Sequence, residues 1–221
     1  MEEKASTVIS PSVAILAIVV TFLVALFGGA TLAMLFGYEV ALAVSELLLI
    51  IVPLGYMLYK KINIGHYIGL DVKPLKILLG LGLGGFVFLF DVLISNLLYI
   101  VFGPSAAIEE ANTQIMELSA SPSGLIAVII ALCLAGICEE LTFRGFLQNA
   151  INSKYSFAVA LLVSSLAFGF FHFDLQGIYT LSAFIVGLVL GLIYHHWRSY
   201  VVSAVTHSTV NLIALAIMLL I

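Results

Sequence analysis

Stretches of about 20 apolar residues recur along this chain from end to end, separated by short polar turns. A helix of that length crosses the roughly 30 Å hydrocarbon core of a bilayer, where every backbone polar group has to find its partner inside the segment. Only 9% of the 221 residues are charged, 63% are hydrophobic, and the mean hydropathy is +1.24. Soluble domains carry about 25% charged residues. The chain therefore reads as all-α: a polytopic transmembrane helix bundle, one membrane domain over residues 1–221, multi-pass and integral, with the cell membrane as its expected location.

About seven spans are expected, over Val13–Phe36, Val40–Tyr59, Ile77–Val101, Leu125–Ile151, Ser156–His172, Ile178–His196 and Ser199–Ile221. The first follows an acidic Met1-Glu2-Glu3-Lys4 start and exceeds a signal-peptide core in length, which predicts a retained helix. Pro53 is expected to kink the second span. The connector from Lys60 to Lys76 holds four of the eight Lys and Arg residues, whereas Gly103 to Ser123 holds Glu109, Glu110 and Glu117 and no basic residue. Basic loops face the cytoplasm, so the first connector is expected there and the second opposite, with Lys154 and Arg198 marking further cytoplasmic turns. Trp197 and Arg198 suit headgroup contacts.

Several motifs read as structural. Gly80-Leu81-Gly82-Leu83-Gly84-Gly85 matches a dinucleotide-binding fingerprint by letter but lies within a membrane span with no preceding strand. Gly80 and Gly84, and later Gly187 and Gly191, are expected to let helices approach closely. Cys133 and Cys138, five apart on one helix, suit apolar filling better than a bridge or a zinc site. Glu46, Asp91 and Asn96 read as inward polar contacts, and Asp174, His195 and His196 as interfacial groups near helix ends. No nucleic-acid motif occurs, and nucleic acid is not an expected partner.

Chemistry concentrates in the last four helices. Ionisable groups at membrane depth are expensive and mark functional sites, and Glu139, Glu140 and Arg144 interrupt an apolar run together. Glu140 and Arg144 are four apart, as are Phe168 and His172, and His207 and Asn211, so each pair shares one helix face. At 1.5 Å per residue, Glu139, His172 and His207 lie roughly 18, 24 and 12 Å from their basic turns, close enough in depth for tilt to bring them together. Two adjacent carboxylates resist joint ionisation, and an arginine can hold one of them charged. The other can then deprotonate a water with help from His172, while His207 and Asn211 donate hydrogen bonds to a developing oxyanion. Which glutamate is the base stays open at this level.

Glu139-Glu140-x-x-x-Arg144, Phe168-x-x-x-His172 and His207-x-x-x-Asn211, in that order, resemble the three motifs of the CPBP family of CAAX type II proteases and bacteriocin-processing enzymes, also called the ABI family. The resemblance covers 125–221, the expected catalytic core, and leaves 1–124 as N-terminal helices. It implies an intramembrane endopeptidase in which Glu139 is the general base, Glu140 and Arg144 support it, His172 assists the water, and His207 with Asn211 form the oxyanion hole. The implied partner is a peptide or protein substrate, a C-terminally prenylated one among the candidates. No cofactor is expected; were zinc to bind, Glu139, His172 and His207 would be its ligands. The rival readings are a non-catalytic membrane binding or bacteriocin-immunity protein, and a proton-coupled transporter.

Overall fold

The computed structural model describes residues 8–220; the expectations for Met1–Lys4 and for Ile221 fall outside that range. Among the described residues every regular element is helical. The helices are α1 (Pro11–Phe36), α2 (Tyr38–Tyr59), α3 (Ile64–Ile68), α4 (Pro74–Phe102), α5 (Ala106–Ser119), α6 (Pro122–Asn152), α7 (Phe157–Phe171), α8 (Ile178–Trp197) and α9 (Tyr200–Met218). Six are long and apolar enough to cross a membrane: α1, α2, α4, α6, α8 and α9. The protein is an integral, multi-pass membrane protein.

The fifth expected span is the shorter α7, whose 15 residues rise only about 22 Å. It is thus shorter than a full crossing, and His172 sits at its end as the C-cap. The acidic connector differs more from expectation, because its residues 106–119 form the amphipathic helix α5, with no buried residue. Its polar composition hid it from a search for apolar runs. Ser105 caps it by accepting from Ile108 N–H, and the Ala106 N–H donates to the Gln176 side chain at 2.7 Å, tying α5 to the loop after His172. Pro53 is buried within α2, which continues through it.

Chain direction packs α2 beside α6, and α4 and α6 against α9. Small residues set those distances. A methyl group added at Gly84 would collide with the Thr209 side chain, one at Gly80 with Val205, and one at Gly136 with Ser208. Gly80 and Gly84 thus serve the close approach expected of them, and Gly187 and Gly191 do the same for α8, against Phe168 and Ser165 and against Leu161 and Gln148. Cys138 is buried and both cysteines are free thiols.

Candidate active site

The centre of α6 changes its winding: residues Glu140–Gln148 form a π-helical stretch and are buried throughout. Such stretches carry one extra residue per turn and occur mostly at functional sites. This one turns a glutamate, an arginine and a glutamine inward along 9 residues. The sequence offers no periodic signal for it.

Burying a carboxylate and a guanidinium is costly unless each is paired and hydrogen-bonded. Here both are fully buried. Arg144 Nη1 donates to Glu140 Oε1 at 2.7 Å, Nη2 donates to the Gly187 carbonyl at 3.0 Å, and the guanidinium lies over the Phe168 ring at 4.4 Å. The Ser203 hydroxyl donates to Glu140 Oε2, and His207 Nδ1 lies 3.2 Å from Glu140 Oε1. Three donors therefore occupy the Glu140 carboxylate. Gln148, four residues beyond Arg144, donates to the Gly191 carbonyl at 3.1 Å and accepts from Ser164 at 3.0 Å.

Glu139 is held quite differently. Its carboxylate oxygens lie 4.0 Å from His172 Nε2 and 3.7 Å from His207 Nε2, beyond direct hydrogen-bond range. On its far side the His172 ring places Nδ1 2.9 Å from the Phe168 carbonyl. A carbonyl only accepts, so Nδ1 carries the proton and, in the neutral ring, Nε2 is left with its lone pair toward Glu139. The His172 ring packs edge-on to Tyr179 at 5.3 Å, and Phe168 separates it from His207.

The structure thus gathers Glu139, Glu140, Arg144, His172 and His207 from α6, α7 and α9 into one cluster. Asn211 is turned aside, its Nδ2 3.4 Å from the Leu132 carbonyl. Three contributors escaped the sequence reading. Ser203 lies four residues before His207 and continues its helix face, a signal that was available; Gly187 and Tyr179 carry no charge and gave none. Asp174 departs from the interfacial role expected of it: its side chain is only 7% exposed and accepts from the Thr180 N–H at 3.0 Å. His195 stacks on Phe157 with ring centroids 3.6 Å apart. Glu46 does face inward, with Oε2 buried and without a hydrogen-bond partner among the described residues.

A zinc ion draws its nitrogen and oxygen ligands to about 2.0–2.2 Å, which holds neighbouring donors closer together than the separations of Glu139 from His172 and His207. Among the described residues no group of three or more His, Cys, Asp or Glu side chains is arranged to hold a metal ion. The donor set of Glu139, His172 and His207 is chemically suitable for the ion, at separations somewhat shorter than those seen here.

The fold and this cluster define a polytopic helical membrane protein with a buried glutamate–arginine–histidine centre. Residues 121–213 match the family model described as type II CAAX prenyl endopeptidase, Rce1-like. The matched segment contains Glu139, Glu140, Arg144, His172, His207 and Asn211, so its similarity is to the same family that the three motifs resemble. Similar curated proteins include "Putative membrane peptidase YdiL" of Bacillus subtilis (strain 168), 28% identical over 129 residues, covering 58% of this chain and 51% of the relative. Another is the UPF0177 protein YxdF of Lactococcus lactis subsp. lactis (strain IL1403), 29% identical over 111 residues, covering 46% of this chain and 60% of the relative. The chain spans between half and three-fifths of the length of these relatives. No solved structure matches it.

Proposed function

We propose that the protein is an intramembrane endopeptidase of the CAAX type that hydrolyses a peptide bond with an activated water, without a metal ion and without a covalent intermediate. The observation that carries this reading is the contrast between the two glutamates. Glu140 is saturated by Arg144, Ser203 and His207, whereas Glu139 faces His172 and His207 at 4.0 and 3.7 Å, distances that one water molecule bridges. Glu139 is accordingly the base and Glu140 the support.

In the reaction the water donates one hydrogen bond to Glu139 and the other to His172 Nε2. As its oxygen attacks the peptide carbonyl carbon, one proton passes to Glu139. The developing oxyanion is met by the His207 ring, held by Glu140, and by the Asn211 amide once it turns from Leu132. Glu139 then hands its proton to the leaving nitrogen and the C–N bond breaks, giving a carboxylic acid and an amine. Arg144 and Phe168 keep the cluster dry and oriented, which strengthens each electrostatic contact.

The name of the matched family model supports a prenylated C-terminal peptide as substrate. An apolar cavity of about 450 Å³ between α1 and α7, lined by Ile18, Phe22, Val163, Phe170 and Phe171 among others, supports it too, because such a lining suits a lipid chain. The test is to reconstitute the protein in lipid vesicles and follow a prenylated and an unprenylated peptide of one sequence by mass spectrometry. Cleavage of the prenylated peptide that disappears with Glu139→Gln is expected. A wild-type protein that cleaves neither, while binding both, would put the binding-protein reading in its place.

A further inference from the structure

At the end of the bundle that carries the basic turns lies a second polar cavity, of about 400 Å³, away from the cluster. Its walls come from four segments: His66 and Tyr67 of α3, Gln148, Asn149 and Asn152 of α6, Tyr194 and His195 of α8, and Arg198 of the α8–α9 turn. The backbone geometry shapes this pocket deliberately. The Tyr194 hydroxyl donates to the Ile68 carbonyl at 3.1 Å, Asn149 Nδ2 donates to the Tyr67 carbonyl at 2.9 Å, and Tyr200 N–H donates to the Gly69 carbonyl at 3.2 Å. These bonds clamp α3 over the α8–α9 turn.

Hydrogen-bonding side chains and one cation, Arg198, line the cavity, and no carboxylate does. The Tyr67 hydroxyl is buried and has no hydrogen-bond partner among the described residues. Burial pushes its phenol above the usual range, so it stays an O–H donor. Arg198 is exposed, forms no ion pair among the described residues, and adopts a left-handed backbone, φ 44° and ψ 44°. A non-glycine residue there stores strain, which tends to persist where a side chain is needed. The nearest acid along the α3–α4 connector, Asp71, is taken by Lys73 and Lys76 at 3.0 and 3.2 Å.

We infer that this cavity binds a phosphate-bearing anion, the Tyr67 hydroxyl and the Arg198 guanidinium being its main ligands and His66 and Asn152 completing the donor set. Its position at the membrane boundary makes an anionic lipid headgroup the natural source, with free phosphate sharing the same chemistry. The floor of the cavity is the end of the π-helical stretch, Gln148, one turn beyond Arg144, so an occupant braces the helix that carries the glutamates.

The experiment uses full-length protein stripped of lipid in neutral detergent. Thermal unfolding and native mass spectrometry are recorded with phosphatidylglycerol, with phosphatidylcholine and with inorganic phosphate. Arg198→Gly and Tyr67→Phe are compared with Lys61→Gly, because Lys61 is an exposed cation with a positive φ of 54° at the same end of the bundle but outside the cavity. Glycine accepts both backbones without strain, so neither glycine variant loses stability without ligand. Phosphatidylglycerol is expected to bind wild type and Lys61→Gly alike, at least about fivefold more weakly to Arg198→Gly, and about threefold more weakly to Tyr67→Phe. The same ranking with inorganic phosphate alone would assign the site to a soluble anion. An equal loss in Lys61→Gly and Arg198→Gly, or no preference for either phosphate source over phosphatidylcholine, would overturn the inference.

Discussion

His207 Nδ1 donates to Glu140 Oε1 across 3.2 Å, which fastens the histidine of α9 to the same carboxylate that holds Arg144 on α6. The two adjacent glutamates therefore differ in what their removal does. Glu139→Gln leaves the Glu140 network whole, so it is expected to keep its melting temperature while kcat falls by about 10²–10⁴, the usual worth of a positioned base. Glu140→Gln leaves Arg144 buried without its counter-ion, a change worth about 3–5 kcal/mol in stability. Thermal unfolding in detergent and peptide turnover, measured on both variants, check this. A Glu139 variant that unfolds as readily as the Glu140 variant would contradict the division of roles.

In the proposed reaction Asn211 would reach the oxyanion only by leaving the Leu132 carbonyl, to which it is bonded at the long distance of 3.4 Å. Loss of one oxyanion donor typically lowers kcat by about 10²–10³. Asn211→Ala is expected to do so with KM little changed, since the bond forms only as charge develops. A rise in KM at constant kcat would make Asn211 a substrate-binding residue instead.

Much of this architecture was legible because lipid allows few solutions: apolar runs mark helices, and the polar residues inside them had to face one another. The i, i+4 spacing of Glu140 with Arg144 and of Phe168 with His172 pointed to the cluster, whereas Asn211, four residues after His207, is turned toward the Leu132 carbonyl. The parts that stayed hidden have physical reasons. Helix α5 has no fully buried residue and mixes polar with apolar positions, so no long apolar run marks it. The π-helical winding at Glu140–Gln148 depends on partners in α8 and α9, such as the Gly187 and Gly191 carbonyls, which local sequence cannot report. Asp174 looked interfacial because its partner Thr180 lies across a loop. The basic-end cavity was invisible because its walls come from segments up to 132 residues apart, from His66 to Arg198.

Gly84 tests the close packing of α4 on α9. A side chain there meets Thr209 and comes within 3.0 Å of the Thr206 carbonyl, one residue from His207. Overpacking of this kind costs about 1–3 kcal/mol. Gly84→Val is expected to lower the melting temperature and to reduce kcat through displacement of His207, whereas Gly82→Val, which meets nothing within 4 Å, is expected to change neither.

Metal dependence is open to a direct measurement. The proposed chemistry routes the proton through Glu139 alone, so prolonged treatment with a zinc chelator is expected to leave turnover within about twofold of the untreated enzyme. Loss of activity that returns on adding zinc would replace this mechanism with one in which Glu139, His172 and His207 bind the ion.

Asp174 gives the pH response of the loop that carries His172. Burial works against its charge, but hydrogen bonds from Thr180, Ile178 and Gln176 outweigh it and hold the carboxyl below its usual range. The Thr180 hydroxyl also lies 3.2 Å from the His172 carbonyl, so the carboxylate helps fix the position of the histidine. A carboxyl whose folded value is depressed contributes stability that is fully present above its unfolded value and is lost as pH falls through the folded one. With an ordinary value of 3.8, the melting temperature is expected to be insensitive to this group from pH about 8 to about 5 and to decline below about 4. Asp174→Asn should remove that share of the decline, because its side chain has no proton to take up, and should lower kcat at neutral pH while leaving the overall fold intact. Thermal unfolding of both proteins across the acid range measures the difference, and identical acid slopes would show that the loop is held by other contacts.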